Sequence, residues 1–101
     1  MVYNNLFIIE AYAPCEGKPM DEFYEYLHTY VLEAEARKLR VIIMGDLNGH
    51  IAGRYHTETN YNGQELLDFT YRWNLNLLPN NHWTFRGRNG EPSLVDYAMT
   101  S

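Results

Sequence analysis

The residues best equipped for chemistry are Gly45-Asp46-Leu47-Asn48, which end the apolar run Val41-Ile42-Ile43-Met44. An aspartate is an anionic acceptor, and an asparagine carries both a donor and an acceptor. Two residues apart in an extended segment, Asp46 and Asn48 point the same way. Together they could hold a hydrated divalent cation or orient a water against a phosphate. The same four residues also suit an ordinary turn, because Gly, Asp and Asn are turn formers, and at this level both readings stand. A second carboxylate, Asp96, falls within Ser93-Leu94-Val95-Asp96-Tyr97. A buried carboxylate is costly unless paired or hydrogen-bonded. Asp96 therefore calls for a histidine, a metal or a hydroxyl, unless an edge strand leaves it in solvent. Ser93 alternates away from Asp96 in a regular strand.

Tyr12 closes a strand at Tyr12-Ala13-Pro14. If that strand pairs in parallel with the one ending at Asp46, its phenol reaches a phosphate oxygen beside Asp46; a rim aromatic is the plainer reading for one of nine tyrosines. Thr84, in Trp83-Thr84-Phe85, is by itself an ordinary strand residue. His50 follows the Gly-Asp-Leu-Asn segment closely enough to line a site, although a loop histidine is commonly solvated. The four histidines, His28, His50, His56 and His82, lack structural metal-ligand spacing. Cys15 has no His or Asn motif beside it that would make it a nucleophile, and there is no Gly-rich phosphate loop. The net charge of −5 argues against nonspecific nucleic-acid binding by charge alone. It leaves room for a metal-dependent enzyme whose acidic ligands need a cation.

These residues need a scaffold. Leu6 to Ala13 reads as a strand stopped by Pro14, and Cys15-Glu16-Gly17-Lys18-Pro19 as a loop. Phe23, Tyr24, Leu27, Val31 and Ala34 step by three and four, which predicts a helix over Asp21 to Lys38 with acids at its start and Arg37 and Lys38 at its end. Val41–Met44 has the composition of a strand buried on both faces. Strand, helix, strand at this spacing predicts a βαβ unit with a parallel pair, and open α/β sheets bind ligands at the carboxyl ends of such strands. The stretch up to Tyr61 is loop-like. A second helix is expected over Gly63 to Trp73, with Asn62 as N-cap and Glu65 three residues on. Leu75 to Leu78 is a short strand candidate. Trp83–Arg86 and Leu94–Ala98 read as a hairpin joined by 87–92.

No long apolar stretch reaches membrane-spanning length, no secretory signal opens the chain, and the single Cys15 cannot pair internally. The expectation is one α/β domain fragment in an intracellular compartment, nuclear or cytoplasmic, with no membrane partner.

The order Tyr12-Ala13-Pro14, Gly45-Asp46-Leu47-Asn48, Asn62-Gly63-Gln64-Glu65-Leu66-Leu67-Asp68-Phe69, Trp83-Thr84-Phe85 and Ser93-Leu94-Val95-Asp96-Tyr97 resembles the endonuclease/exonuclease/phosphatase (DNase I-like) superfamily. Within it, the chain is most similar to the apurinic-type endonuclease domain of non-LTR retrotransposons and to craniofacial-development-like proteins. The resemblance implies a partial four-layer α/β sandwich and hydrolysis of phosphodiesters or phosphomonoesters with Mg²⁺ or Mn²⁺. It implies that Asp46 orients or deprotonates the attacking water, and that Asn48 contacts the phosphate or a metal-bound water. Asp46 and Asn48 are also the candidate metal contacts. Tyr12 would hydrogen-bond the phosphate, and Asp96 would orient a catalytic histidine. Thr84, Ser93 and His50 are candidate substrate contacts.

The family's earlier strand, with its metal-binding Glu, and its final Ser-Asp-His strand have no counterpart here. An internal fragment over 1–101 is therefore expected, with DNA as substrate of the full domain, weak or absent turnover, and self-association through exposed sheet edges. A non-catalytic binding module and a phosphatase of the same superfamily are the alternatives.

Overall fold

The structure, a computed structural model, describes residues 1–15, 18–87 and 90–101. Its elements run β1 (Val2–Tyr3), β2 (Leu6–Tyr12), α1 (Asp21–Ala36), β3 (Arg40–Asp46), β4 (Ile51–Ala52) and β5 (Tyr55–His56). Then come α2 (Tyr61–Arg72), β6 (Asn76–Leu77), β7 (Phe85–Arg86), β8 (Pro92–Ser93) and β9 (Asp96–Thr100). The mixed α/β fold is the expected class. β1, β2, β3, β9 and β6 lie side by side in that order. β2 and β3 run parallel, from Leu6 opposite Arg40 to Tyr12 opposite Asp46. β9 is antiparallel to β3, and β6 to β9.

Alternation decides which side of the sheet is covered. Phe7, Ile9 and Ala11 of β2, Val41 and Ile43 of β3, and Tyr97 and Met99 of β9 are buried. Against them α1 lays Tyr24, Leu27, Val31 and Ala34, in one cluster with Leu66 and Phe69 of α2. Each buried Val, Leu, Ile, Phe or Met among them contributes about 1.5–3 kcal/mol by leaving water. The other face carries half-buried Leu6, Ile8, Ile42 and Ala98. Val41–Met44 is thus not buried on both faces as its composition predicts: Met44 is 38% exposed. The cause is that the apolar stripes of both helices join one cluster, on the side of Val41 and Ile43. Among the described residues, no helix is long and apolar enough to cross a membrane.

Local chemistry shifts several predicted boundaries. α1 ends at Ala36 because Lys38 takes a left-handed conformation, φ 55°, and the Leu39 N–H reaches back to the Ala34 carbonyl at 2.8 Å. α2 starts at Tyr61, and its cap is Asn60 rather than Asn62. The Asn60 Oδ1 accepts from the Gly63 N–H at 2.8 Å, with extended backbone at φ −86° and ψ −179°. Asn62 is already helical and fully buried, and its amide donates to the Pro14 carbonyl at 3.2 Å. The hairpin exists, with Phe85 opposite Ser93 and Arg86 opposite Pro92. Arg88 and Asn89 of its turn lie outside the described residues, as do Glu16 and Gly17 of the first loop. The predicted strand Leu94–Ala98 divides instead. Leu94 and Val95 carry the chain from β8 into β9, which joins the main sheet. Sequence reasoning missed β1, although Asn4 and Asn5 are turn residues and Asn4 has φ 55°; it also missed the two-residue strands β4 and β5.

Gly45 is required where β3 meets β2. Its φ is +141°, and a Cβ there would sit 2.0 Å from the Ala11 carbonyl oxygen. Gly45→Ala is expected to cost about 3 kcal/mol or more, since backbone must move. A urea midpoint indistinguishable from the parent would contradict this packing.

Candidate active site

The two parallel strands end level, and that brings the chemistry together. Tyr12 stands opposite Asp46 on one side and Asp96 stands opposite Asp46 on the other, a row across three strands. Adjacent strands are about 4.8 Å apart. Glu10, Ala11, Tyr12, Gly45, Asp46 and Asp96 line a shallow cleft of about 590 Å³ there. Tyr12 is 75% exposed, so its phenol faces solvent at the rim. Asp46 and Asp96 are half-buried.

The electrostatics of the row follow from this geometry. Partial burial raises the Asp46 carboxyl above its ordinary value, the Asn48 N–H bonded to it pulls it back, and the neighbouring Asp96 charge raises it further. The Asp46 Oδ1 accepts that N–H at 3.0 Å. Asn48 itself has φ 49° and lies past the end of β3. It is therefore not the extended partner of Asp46 that the spacing predicts: the segment turns, and Asp46 closes the turn. The Asn48 amide nitrogen donates to the Ala13 carbonyl at 2.7 Å, and the Ala13 N–H donates to the Asp46 carbonyl at 2.8 Å. Turn and site are one object, with Asn48 tying the two strand ends together.

Asp96 is placed from behind. The Thr84 hydroxyl accepts from the N–H groups of Val95 at 3.1 Å and Asp96 at 3.2 Å. The Asn80 amide donates to the Asp96 carbonyl at 3.1 Å. Thr84 thus touches the backbone of Asp96 rather than lining the cleft. Ser93 pairs within the hairpin, its carbonyl accepting from the Thr84 N–H at 2.7 Å. His50 also lies off the cleft lining. Its N–H donates to Asn60 Oδ1 at 2.9 Å, and its ring stacks on His56 at 3.7 Å between centroids. The His56 Nε2 accepts from the Leu94 N–H at 3.1 Å. Among the described residues, no three His, Cys, Asp or Glu side chains are grouped to hold a metal ion. Asp46 and Asp96 are a pair of carboxylates on adjacent strands.

Tyr97, Asn80, Asn60 and His56 are the supports that sequence reasoning missed. Tyr97 is buried, and its hydroxyl lies 2.6 Å from the Gly49 carbonyl and 3.1 Å from that of Leu94. It fastens the loop after Asn48 to the chain entering β9. Its position next to Asp96 was the available signal. Gly49 and Gly63 are the other contact: a Cβ on Gly63 would fall 2.0 Å from the His50 carbonyl oxygen.

A family model described as endonuclease-reverse transcriptase matches residues 6–101. The chain belongs to this family. The endonuclease domain of TRAS1, a telomere-specific non-LTR retrotransposon, is similar in fold, with a TM-score of 0.70 and 23% sequence identity. The match covers 90% of this chain and 42% of that domain, so this member spans less than half the length of the solved structure. No curated protein sequence matches. The DNase I-like, retrotransposon-endonuclease resemblance drawn from the motifs is therefore correct.

Two outcomes are expected of this endonuclease-reverse transcriptase family member. The folded Asp46 carboxyl holds its proton more tightly than the unfolded one, so its favourable contribution is present at acid pH and lost as pH rises through the raised folded value. Asp46→Asn keeps an acceptor for the Asn48 N–H and removes the charge. It is expected to be more stable than the parent at neutral pH, with the gap closing on acidification; a gap independent of pH would contradict the carboxylate pairing. Tyr97→Phe leaves a buried carbonyl without its donor and is expected to cost about 1–3 kcal/mol. Burial pushes the Tyr97 hydroxyl up, the nearby Arg54 lowers it and Asp96 raises it, to about 12 from an ordinary 10.0. In the parent, the stability due to Tyr97 should fall from about pH 10 to about pH 12. Denaturation of both proteins across that range checks it: the parent should lose this increment and Tyr97→Phe should not.

Proposed function

We propose that this chain is the central part of an endonuclease domain that hydrolyses phosphodiesters of DNA with Mg²⁺ or Mn²⁺. The observation that carries the reading is the row Tyr12–Asp46–Asp96 at the ends of β2, β3 and β9 in a member of an endonuclease family. Asp46, whose partly buried carboxyl holds its proton more tightly than an ordinary aspartate, stands where it can accept a proton from the attacking water. The exposed Tyr12 phenol donates to a phosphate oxygen at the rim. Asn48 and Thr84 act as positioning residues, holding Asp46 and Asp96 through backbone. His50 and Ser93 stand behind that row, and any contact they make with substrate is to a flanking part of it.

A divalent ion, when bound, would neutralise charge growing on the phosphate. Asp46 would supply part of its ligands, and a Glu from the rest of a longer domain would complete the set. By the same reading a histidine from a Ser-Asp-His strand pairs with Asp96. The isolated chain is then expected to turn over weakly or not at all, since losing one member of a concerted site costs orders of magnitude. The half-apolar sheet face beside the row would favour self-association of the isolated chain.

Mg²⁺ titration of the isolated chain by NMR should shift Asp46 and Asp96 with affinity of about millimolar order, typical of few-ligand sites. Asp46→Asn should abolish the shifts. In the complete domain, Asp46→Asn should reduce Mg²⁺-dependent nicking of plasmid DNA by about a hundredfold or more. Release of phosphate from inositol phosphates without nicking would instead support the phosphatase alternative. Ion-independent DNA binding without nicking by the complete domain would support a binding module.

A further inference from the structure

A second cleft lies away from the strand ends, between the two helices. Asp21, Tyr24, Glu25, His28 and Thr29 of α1 and Glu65, Phe69, Arg72 and the following Trp73 line about 510 Å³. Three of these residues hold buried polar atoms that find no partner among the described residues: the Tyr24 hydroxyl, His28 Nδ1 and Trp73 Nε1. Tyr24 is only 8% exposed. Burial first, then the Glu65 carboxylate and the Tyr97 phenol, hold its hydroxyl far above the ordinary value, so it stays a neutral donor beside Glu65. Buried donors and acceptors without partners are uncommon in native proteins, and three around one cleft point to a polar occupant.

Its chemistry can be read from the walls. The indole N–H can only donate, so the occupant carries an acceptor such as a carbonyl. Asp21 and Glu25 are four residues apart on one face of α1, and Glu65 answers from α2. Three carboxylates against Arg72 call for a cation. Arg72 already lies over the Trp73 ring, at 5.4 Å, so the newcomer meets the carboxylates. The described carboxylates and histidines are too spread to hold one bare metal ion. A phosphate backbone would be repelled. An extended ligand with both a cation and a carbonyl is a basic stretch of polypeptide.

We propose that the α1–α2 cleft docks a basic peptide segment. Its Lys or Arg side chain sits among Asp21, Glu25 and Glu65, and its backbone carbonyl accepts from the Trp73 indole. This does not depend on the endonuclease reading.

The test is NMR of the full chain, following the Trp73 indole proton, assigned with Trp83→Phe. The probe is an acetylated, amidated Gly-Arg-Gly-Arg-Gly peptide; the control replaces arginine with citrulline. A saturable Trp73 shift with the arginine peptide is expected. It should weaken about tenfold or more with citrulline and in Glu25→Gln/Glu65→Gln, and should weaken from about 50 to about 500 mM salt. Glu25→Gln alone, at an exposed helix position, should weaken it severalfold without affecting the fold, which circular dichroism checks. No shift at millimolar peptide, equal response to citrulline, or indifference to the carboxylate variants would overturn the proposal. So would a shift produced by a DNA duplex and not by the peptide, or an indole bonded only to an ordered water in the peptide's presence.

Discussion

The structure depends on how closely β2 and β3 run at their carboxyl ends. Gly45 lets the two backbones approach to a distance that no side chain tolerates. Past it, Ala13 and Asp46 exchange a backbone hydrogen bond, and the Asn48 amide returns to Ala13. These bonds convert two separate strand ends into one rigid edge. Tyr12, Asp46 and Asp96 inherit their places from that edge rather than from contacts with one another.

The edge carries an electrostatic cost. Two carboxylates face each other across β3 and β9, and partial burial deepens the effect on Asp46. The fold answers with hydrogen bonds: the Asn48 N–H donates to the Asp46 carboxylate, the Thr84 hydroxyl accepts from the Asp96 N–H, and the Asn80 amide donates to the Asp96 carbonyl. None of these supports neutralises the charge.

Behind the edge, the support is polar and shared between distant segments. Asn60 caps α2 and simultaneously holds the His50 N–H, and Tyr97 reaches the Gly49 carbonyl. The start of the loop, at Gly49 and His50, is thereby held by Tyr97 of β9 and by Asn60, the cap of α2. The two-residue strands β4 and β5 arise inside that fixed loop rather than from any apolar alternation of their own.

Much of this was legible in the chain. The stripe Tyr24, Leu27, Val31 and Ala34 specified α1, because a helix period leaves one face to bury. The β-branched run before Gly45-Asp46 specified β3, and the strand–helix–strand order specified a parallel pair. Parallel pairing alone places Tyr12 beside Asp46, so the heart of the site followed from local pattern. The choice of Asn60 over Asn62 as cap did not follow, since either asparagine suits the cap chemically and only packing against His50 and Pro14 selects. Nor did the role of Thr84, the break between β8 and β9, or the bond from Tyr97 to Gly49. The bonds of Thr84 and Tyr97 join residues 11 to 48 positions apart, and local residue preferences carry no information about partners at that distance. Periodicity determined the two helices and the paired strands β2 and β3; through-space contacts decided the two-residue strands, which polar side chains hold the elements and which are left facing the cleft.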